Sequence, residues 1–85
     1  MSYEIIISKN AGKELKAIPR KIQESIIENI YDLKENARPD GCKKLSGMEN
    51  SWRIRVGRYR VIYSVYDDIL VIEVIKIGHR KDIYQ

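Results

Sequence analysis

Hydrophobic positions recur along this chain with two periods. Between Arg20 and Glu35 they keep helical spacing, and from Trp52 onward they alternate. Ile22, Ile26, Ile30 and Leu33 fall on one stripe, which Ile27 and Tyr31 widen, while Lys21, Glu24, Glu28, Asp32 and Glu35 occupy the wet side. That predicts a helix ended by Asn36 and followed by a turn over Arg38-Pro39-Asp40-Gly41. Upstream, Tyr3 to Ile7 is short, β-branched and aromatic, which reads as a strand. Ser8 can cap a short helix carrying Ala11, Leu15 and Ile18 inward, with Gly12 weakening it. Pro19 ends that helix and suits the first turn of the next, so the two form an antiparallel helical hairpin.

The second half is strand-rich. Trp52 to Val56 and Tyr59 to Val65 alternate, and Ile69 to Ile77 is a long, largely apolar run. Gly57-Arg58 separates the first two strands and suits a type II′ turn, with glycine at the first central position. Asp67-Asp68 separates the next two and reads as turn chemistry. The expected fold is α+β: an N-terminal strand, a two-helix hairpin, then a three-stranded antiparallel meander. Both helices pack on one face of an antiparallel sheet, and residues 1–85 form a single domain.

The Gly57-Arg58 turn implies a register. Val56 faces Tyr59, Arg55 faces Arg60, Ile54 faces Val61, Arg53 faces Ile62 and Trp52 faces Tyr63. Because side chains alternate, Trp52, Ile54, Val56, Tyr59, Val61 and Tyr63 share the face toward the helices. Arg53, Arg55 and Arg60 share the other face with Ile62. Like charges opposite one another on a sheet cost stability, so the cluster is easiest to explain if it receives an anion. The competing reading is that the guanidinium groups splay into solvent, where salt screens their repulsion.

Composition sharpens this picture. The net charge is +4 on 85 residues, with a pI near 9.3. Residues 38–60 hold seven Lys and Arg, namely Arg38, Lys43, Lys44, Arg53, Arg55, Arg58 and Arg60, against Asp40 and Glu49. A central segment of +5 thus follows a neutral helical half and favours an anionic partner. Cys42 is the only cysteine, which excludes an internal disulfide and a multi-cysteine zinc site. No apolar run is long enough to span a membrane, and the opening residues lack the features of a signal peptide, so the expected setting is cytoplasmic. No P-loop, dinucleotide fingerprint, metal-ligand spacing or nucleophile elbow occurs, so neither a cofactor nor a metal is expected. His79, the one histidine, is expected to join the arginine cluster, where an imidazole can exchange protons at neutral pH. Tyr84 could stack on a base or donate its hydroxyl, or could tuck its ring against the sheet edge.

Four stretches taken in order resemble the RelE/ParE superfamily of small toxins, and specifically its RelE-type mRNA endoribonucleases. They are Ser8 to Pro19, Arg38-Pro39 with Lys43-Lys44-Leu45-Ser46-Gly47, Trp52 to Tyr63, and Ile77 to Tyr84. The resemblance implies a RelE-like fold and a metal-independent, ribosome-dependent endoribonuclease. In that chemistry the ribose 2′-hydroxyl attacks the scissile phosphate of mRNA held in the A site. Arg53 and Arg55 fall where relatives carry two basic residues, mostly lysine. Arg60 matches a residue holding the scissile phosphate, Arg80 a second phosphate contact, and Tyr84 a tyrosine that orients the substrate nucleotide. Lys43, Lys44, Arg58 and Lys81 are expected to add substrate-binding charge. Arginine stays protonated, so the general base must be another group: His79 first, then Glu73 or Glu49. The resemblance also implies a cognate antitoxin bound in a heteromeric complex. The alternatives are a ParE-like gyrase poison and a non-catalytic basic RNA- or protein-binding module.

Overall fold

The computed structural model describes residues 2–79. Its elements in chain order are β1 (Glu4–Ile7), α1 (Lys9–Lys16), α2 (Arg20–Asp32), β2 (Lys43–Lys44), β3 (Ser51–Val56), β4 (Tyr59–Tyr66) and β5 (Val71–His79). The expected α+β architecture holds, with β3, β4 and β5 forming the antiparallel meander. The five strands form one sheet in the order β1-β5-β4-β3-β2. The sheet is mixed rather than antiparallel throughout, because β1 runs parallel to β5, with Ile5 opposite Ile72. The chain between these parallel strands carries both helices and β2, β3 and β4.

Ser8 joins the helical layer to the sheet. Its Oγ accepts from the Ala11 amide at 3.1 Å, capping α1, and donates to the Ile75 carbonyl at 3.1 Å. Its own amide donates to the Val74 carbonyl at 2.9 Å. Pro19 stands just before α2, and its carbonyl accepts from the amides of Ile22 and Gln23. Ile26, Ile30 and Leu33 are buried, as the stripe predicts. Tyr31 does not widen that stripe. It is 57% exposed, one residue past the buried Ile30 and about 100° further round the helix. The helix also closes earlier than Asn36, with Leu33 as its C-cap.

The core joins Ala11, Leu15 and Ile18 with the α2 stripe and with Ile54, Val61, Tyr63, Val65, Ile72, Val74 and Ile77. Tyr63 is fully buried, and its hydroxyl donates to the Ala37 carbonyl at 2.8 Å. Burial, then the neighbouring Cys42, pushes the Tyr63 pKa well up.

Two local features depart from expectation. The β4–β5 connection runs over four residues, Asp67 to Leu70, with Leu70 at φ +53 and Ile69 64% exposed. An apolar Ile-Leu pair therefore belongs to a turn, stapled by its first carboxylate. Asp67 accepts from Arg38 at 2.7 Å and from the Tyr3 hydroxyl at 2.6 Å, so hydrogen bonds to Arg38 and Tyr3 hold its pKa below the usual carboxylate value. The same Arg38 lies over the Trp52 ring, 5.1 Å from its centroid.

The second feature is a bulge in β5. Ile62 pairs with Lys76 but Tyr63 pairs with Val74, leaving Ile75 without an opposite residue. Ile72 and Val74 point into the core, and so does Ile77. The extra residue thus reverses the alternation beyond it.

Candidate functional site

The register read from the Gly57-Arg58 turn is the one observed, from Trp52 opposite Tyr63 to Val56 opposite Tyr59. Gly57 has φ +61, the left-handed backbone required at the first central position of a type II′ turn. Arg53, Arg55 and Arg60 consequently share the sheet face opposite the helices. β2, which the hydrophobic pattern did not reveal, adds to them: Lys43 pairs with Arg53, so it stands on the same face. Two like-charged cross-strand pairs result, Lys43 with Arg53 and Arg55 with Arg60.

These residues do not simply splay into water. Arg53 is 3% exposed and Arg60 8%, whereas Arg55 and Lys43 are exposed. Arg53 sits in the middle of the sheet, flanked by β2 and β4, and its Nε is buried without a hydrogen-bond partner. A buried guanidinium with an unused donor is costly unless an acceptor arrives. A groove of about 350 Å³ opens over this face, lined by Lys43, Lys44, Leu45, Ser46, Arg53, Arg55 and Arg60, with five cations and no carboxylate among the lining residues. The arrangement suits a polyanion, with arginine forks for phosphate oxygens.

The other expected site residues lie elsewhere. His79 pairs with Tyr59 and meets its ring edge-on, with centroids 5.6 Å apart. That is the helix-side face, away from Arg53, Arg55 and Arg60. The bulge at Ile75 is the reason: strict alternation from Val74 would have carried His79 to the arginine face. His79 instead lines a separate crevice of about 240 Å³ with Ile22, Val56, Arg58 and Tyr59. Arg58, at the hairpin tip, joins that crevice and not the groove.

Glu73 is on the arginine face, but it pairs with Ser64, four residues along β4 from Arg60 and so roughly 13 Å away. Glu49 sits in an exposed turn before β3, at the end of the strand far from Arg55. Arg80, Lys81 and Tyr84 lie outside the described residues. Among the described residues no group of three or more His, Cys, Asp or Glu is placed to hold a metal. No helix among them is long and apolar enough to cross a membrane.

The family described as "ParE toxin of type II toxin-antitoxin system, parDE" matches residues 5–84. The chain is 34% identical to Toxin RelE3 of Methanocaldococcus jannaschii, over 95% of this chain and 94% of that one. It is 28% identical to the mRNA interferase toxin RelE of Escherichia coli, over 95% and 86%. Among solved structures, it superposes on the toxin of the archaeal RelE-RelB complex from Pyrococcus horikoshii with a TM-score of 0.84 and 31% identity, covering 96% of this chain and 99% of that one. The chain belongs to the RelE/ParE toxin superfamily.

Proposed function

We propose that this superfamily member is the toxin of a type II toxin–antitoxin system, an endoribonuclease that cuts mRNA on the ribosome in the cytoplasm. The observation that carries this reading is the groove over β2, β3 and β4, whose charged lining residues are all cations, with Arg53 buried in its floor and lacking a partner at Nε. Similarity over nearly the full chain to a protein named an mRNA interferase supports RNA as the polyanion. The solved complex similar to this chain pairs its toxin with RelB, which supports a cognate antitoxin here.

The reaction is the one that the resemblance to RelE-type endoribonucleases implies. The ribose 2′-oxygen attacks the adjacent phosphorus and the bond to the 5′-oxygen breaks, leaving a 2′,3′-cyclic phosphate and a 5′-hydroxyl. DNA lacks the attacking group. Arg53, Arg55 and Arg60 neutralise charge gathering on the phosphate oxygens, the largest single contribution in such sites. No metal is needed for that role. The 2′-hydroxyl proton needs an acceptor, and arginine cannot serve. With His79 on the opposite face, the role passes to Lys43, in the groove beside Arg53, and the leaving 5′-oxygen takes its proton from water. Arg80 and Tyr84 keep the phosphate-contact and base-orienting roles implied by the resemblance.

Purified protein added to ribosomes stalled on a defined mRNA tests this. Primer extension should show breaks inside the A-site codon, and a Lys43→Arg variant should bind but cut poorly. Intact mRNA under conditions where translation stops would remove the nuclease reading. DNA breaks in cells would point to gyrase instead.

A further inference from the structure

A second cleft lies on the other side of Arg53. It measures about 490 Å³, within the range of small-molecule sites, and shares Lys43, Arg53 and Arg55 with the cationic groove. It exists because β2 is short. The β2–β3 pairing ends at Lys43 opposite Arg53, and the chain turns away at Gly41, φ +88, so no strand covers Arg55 on that side. The opposing wall has the reverse character, with Asn29, Asp32 and Asp40. Among the described residues neither carboxylate is ion-paired.

We infer that this cleft reads a nucleobase carrying an amino group on its Watson–Crick edge, while the attached phosphate lies in the groove. The inference rests on the RNA reading above and names the part of the substrate that the groove leaves out. Asp32 and Asp40 oppose a phosphate on the far wall while Lys43, Arg53 and Arg55 hold it on the groove side, so the cleft does not simply extend the phosphate track. It suits a neutral group that offers donors to carboxylates while tethered to an anion one step away. Adenine, cytosine and guanine each carry such an amino group, and carboxylates accept from it. Uracil carries no amino group: its edge flanks a single N3–H donor with two carbonyl oxygens that the carboxylates repel. Arg53, 3% exposed and with Nε unpartnered, stands between the two spaces and offers donors to a nucleotide bridging them.

The test is titration of the full-length chain with the four ribonucleoside 3′-monophosphates, followed by amide NMR. Adenosine, cytidine and guanosine monophosphates should bind about tenfold more tightly than uridine monophosphate. The ratio should fall toward one, or invert, in the Asp32→Asn/Asp40→Asn variant, whose two exposed substitutions leave the rest of the amide spectrum in place. Equal affinity for all four nucleotides, or a ratio unchanged in the variant, overturns the assignment. No binding at millimolar concentration overturns it too. Selective binding by a protein that cuts no RNA would keep the cleft and remove the nuclease reading. Cleavage without base selectivity would do the reverse.

Discussion

The two faces of the β3–β4–β5 sheet are both buried at their centre, by opposite means. On the helix side, Val61, Tyr63, Ile72 and Val74 are fully buried against Ile26, Ile30 and Leu33, and the one buried phenol is satisfied by the Ala37 carbonyl. On the other side, Arg53 and Arg60 are almost as enclosed, yet each faces a cation across the strand pair. The first face gains from every contact it makes. The second holds desolvated charge with an unused donor at Arg53 Nε, a donor that an incoming anion would satisfy. On the proposed function, stability and catalysis reside on different sides of a single sheet.

The comparison breaks most visibly on the helix side. Ile26→Ala removes a fully buried side chain and should cost about 2–5 kcal/mol in urea unfolding. A loss near zero would mean that the helix face is not the source of stability. On the opposite face, Arg55→Ala should lower ribosome-dependent cleavage by roughly 10²-fold. Because Arg55 is exposed, its unfolding free energy should move by no more than about 0.5 kcal/mol. A comparable fall in both quantities would merge the two roles that the proposed function assigns to the two faces.

Arg53→Met sharpens the contrast by reversing its sign. Removing the unsatisfied buried charge should raise the stability of the free protein by on the order of 1 kcal/mol while cleavage falls. Added phosphate or short RNA should then stabilise the wild type more than the variant. The smallest effect concerns the surface staple. Hydrogen bonds from Arg38 and Tyr3 hold the Asp67 pKa below the ordinary carboxylate value, so its contribution is complete above about pH 4 and is lost as pH falls through the lowered value. Asp67 is exposed, so the effect is modest. Asp67→Asn should flatten that part of the acid-unfolding profile and leave neutral-pH cleavage unchanged.

Much of this division was legible in the sequence, and the misses have local causes. The Gly57-Arg58 turn and strict alternation on both sides carried the β3–β4 register, and with it the arginine face. His79 was misplaced because a bulge at Ile75 inverts the strand, and that bulge is held by the Ser8 hydroxyl, 67 residues away. No local pattern encodes such a contact. The parallel pairing of β1 with β5 is non-local in the same way. Lys43 reads as substrate-binding charge, but a two-residue strand has no period to read, so its place opposite Arg53 comes only from pairing. The cleft with Asp32 and Asp40 was missed because those residues read as a helix's wet side and a turn. Ile69 and Leu70 looked like the start of a strand, whereas Leu70 takes a left-handed turn conformation.

The central claim is that the arginine face handles RNA and is dispensable for folding. Sequencing of RNA 5′ ends after brief induction, in cells expressing wild type or Arg55→Ala at equal folded levels, tests it most directly. The account predicts new ends within translated codons for wild type, reduced about 10²-fold in the variant. Growth arrest without new ends, or an undiminished set of ends from Arg55→Ala, would contradict it.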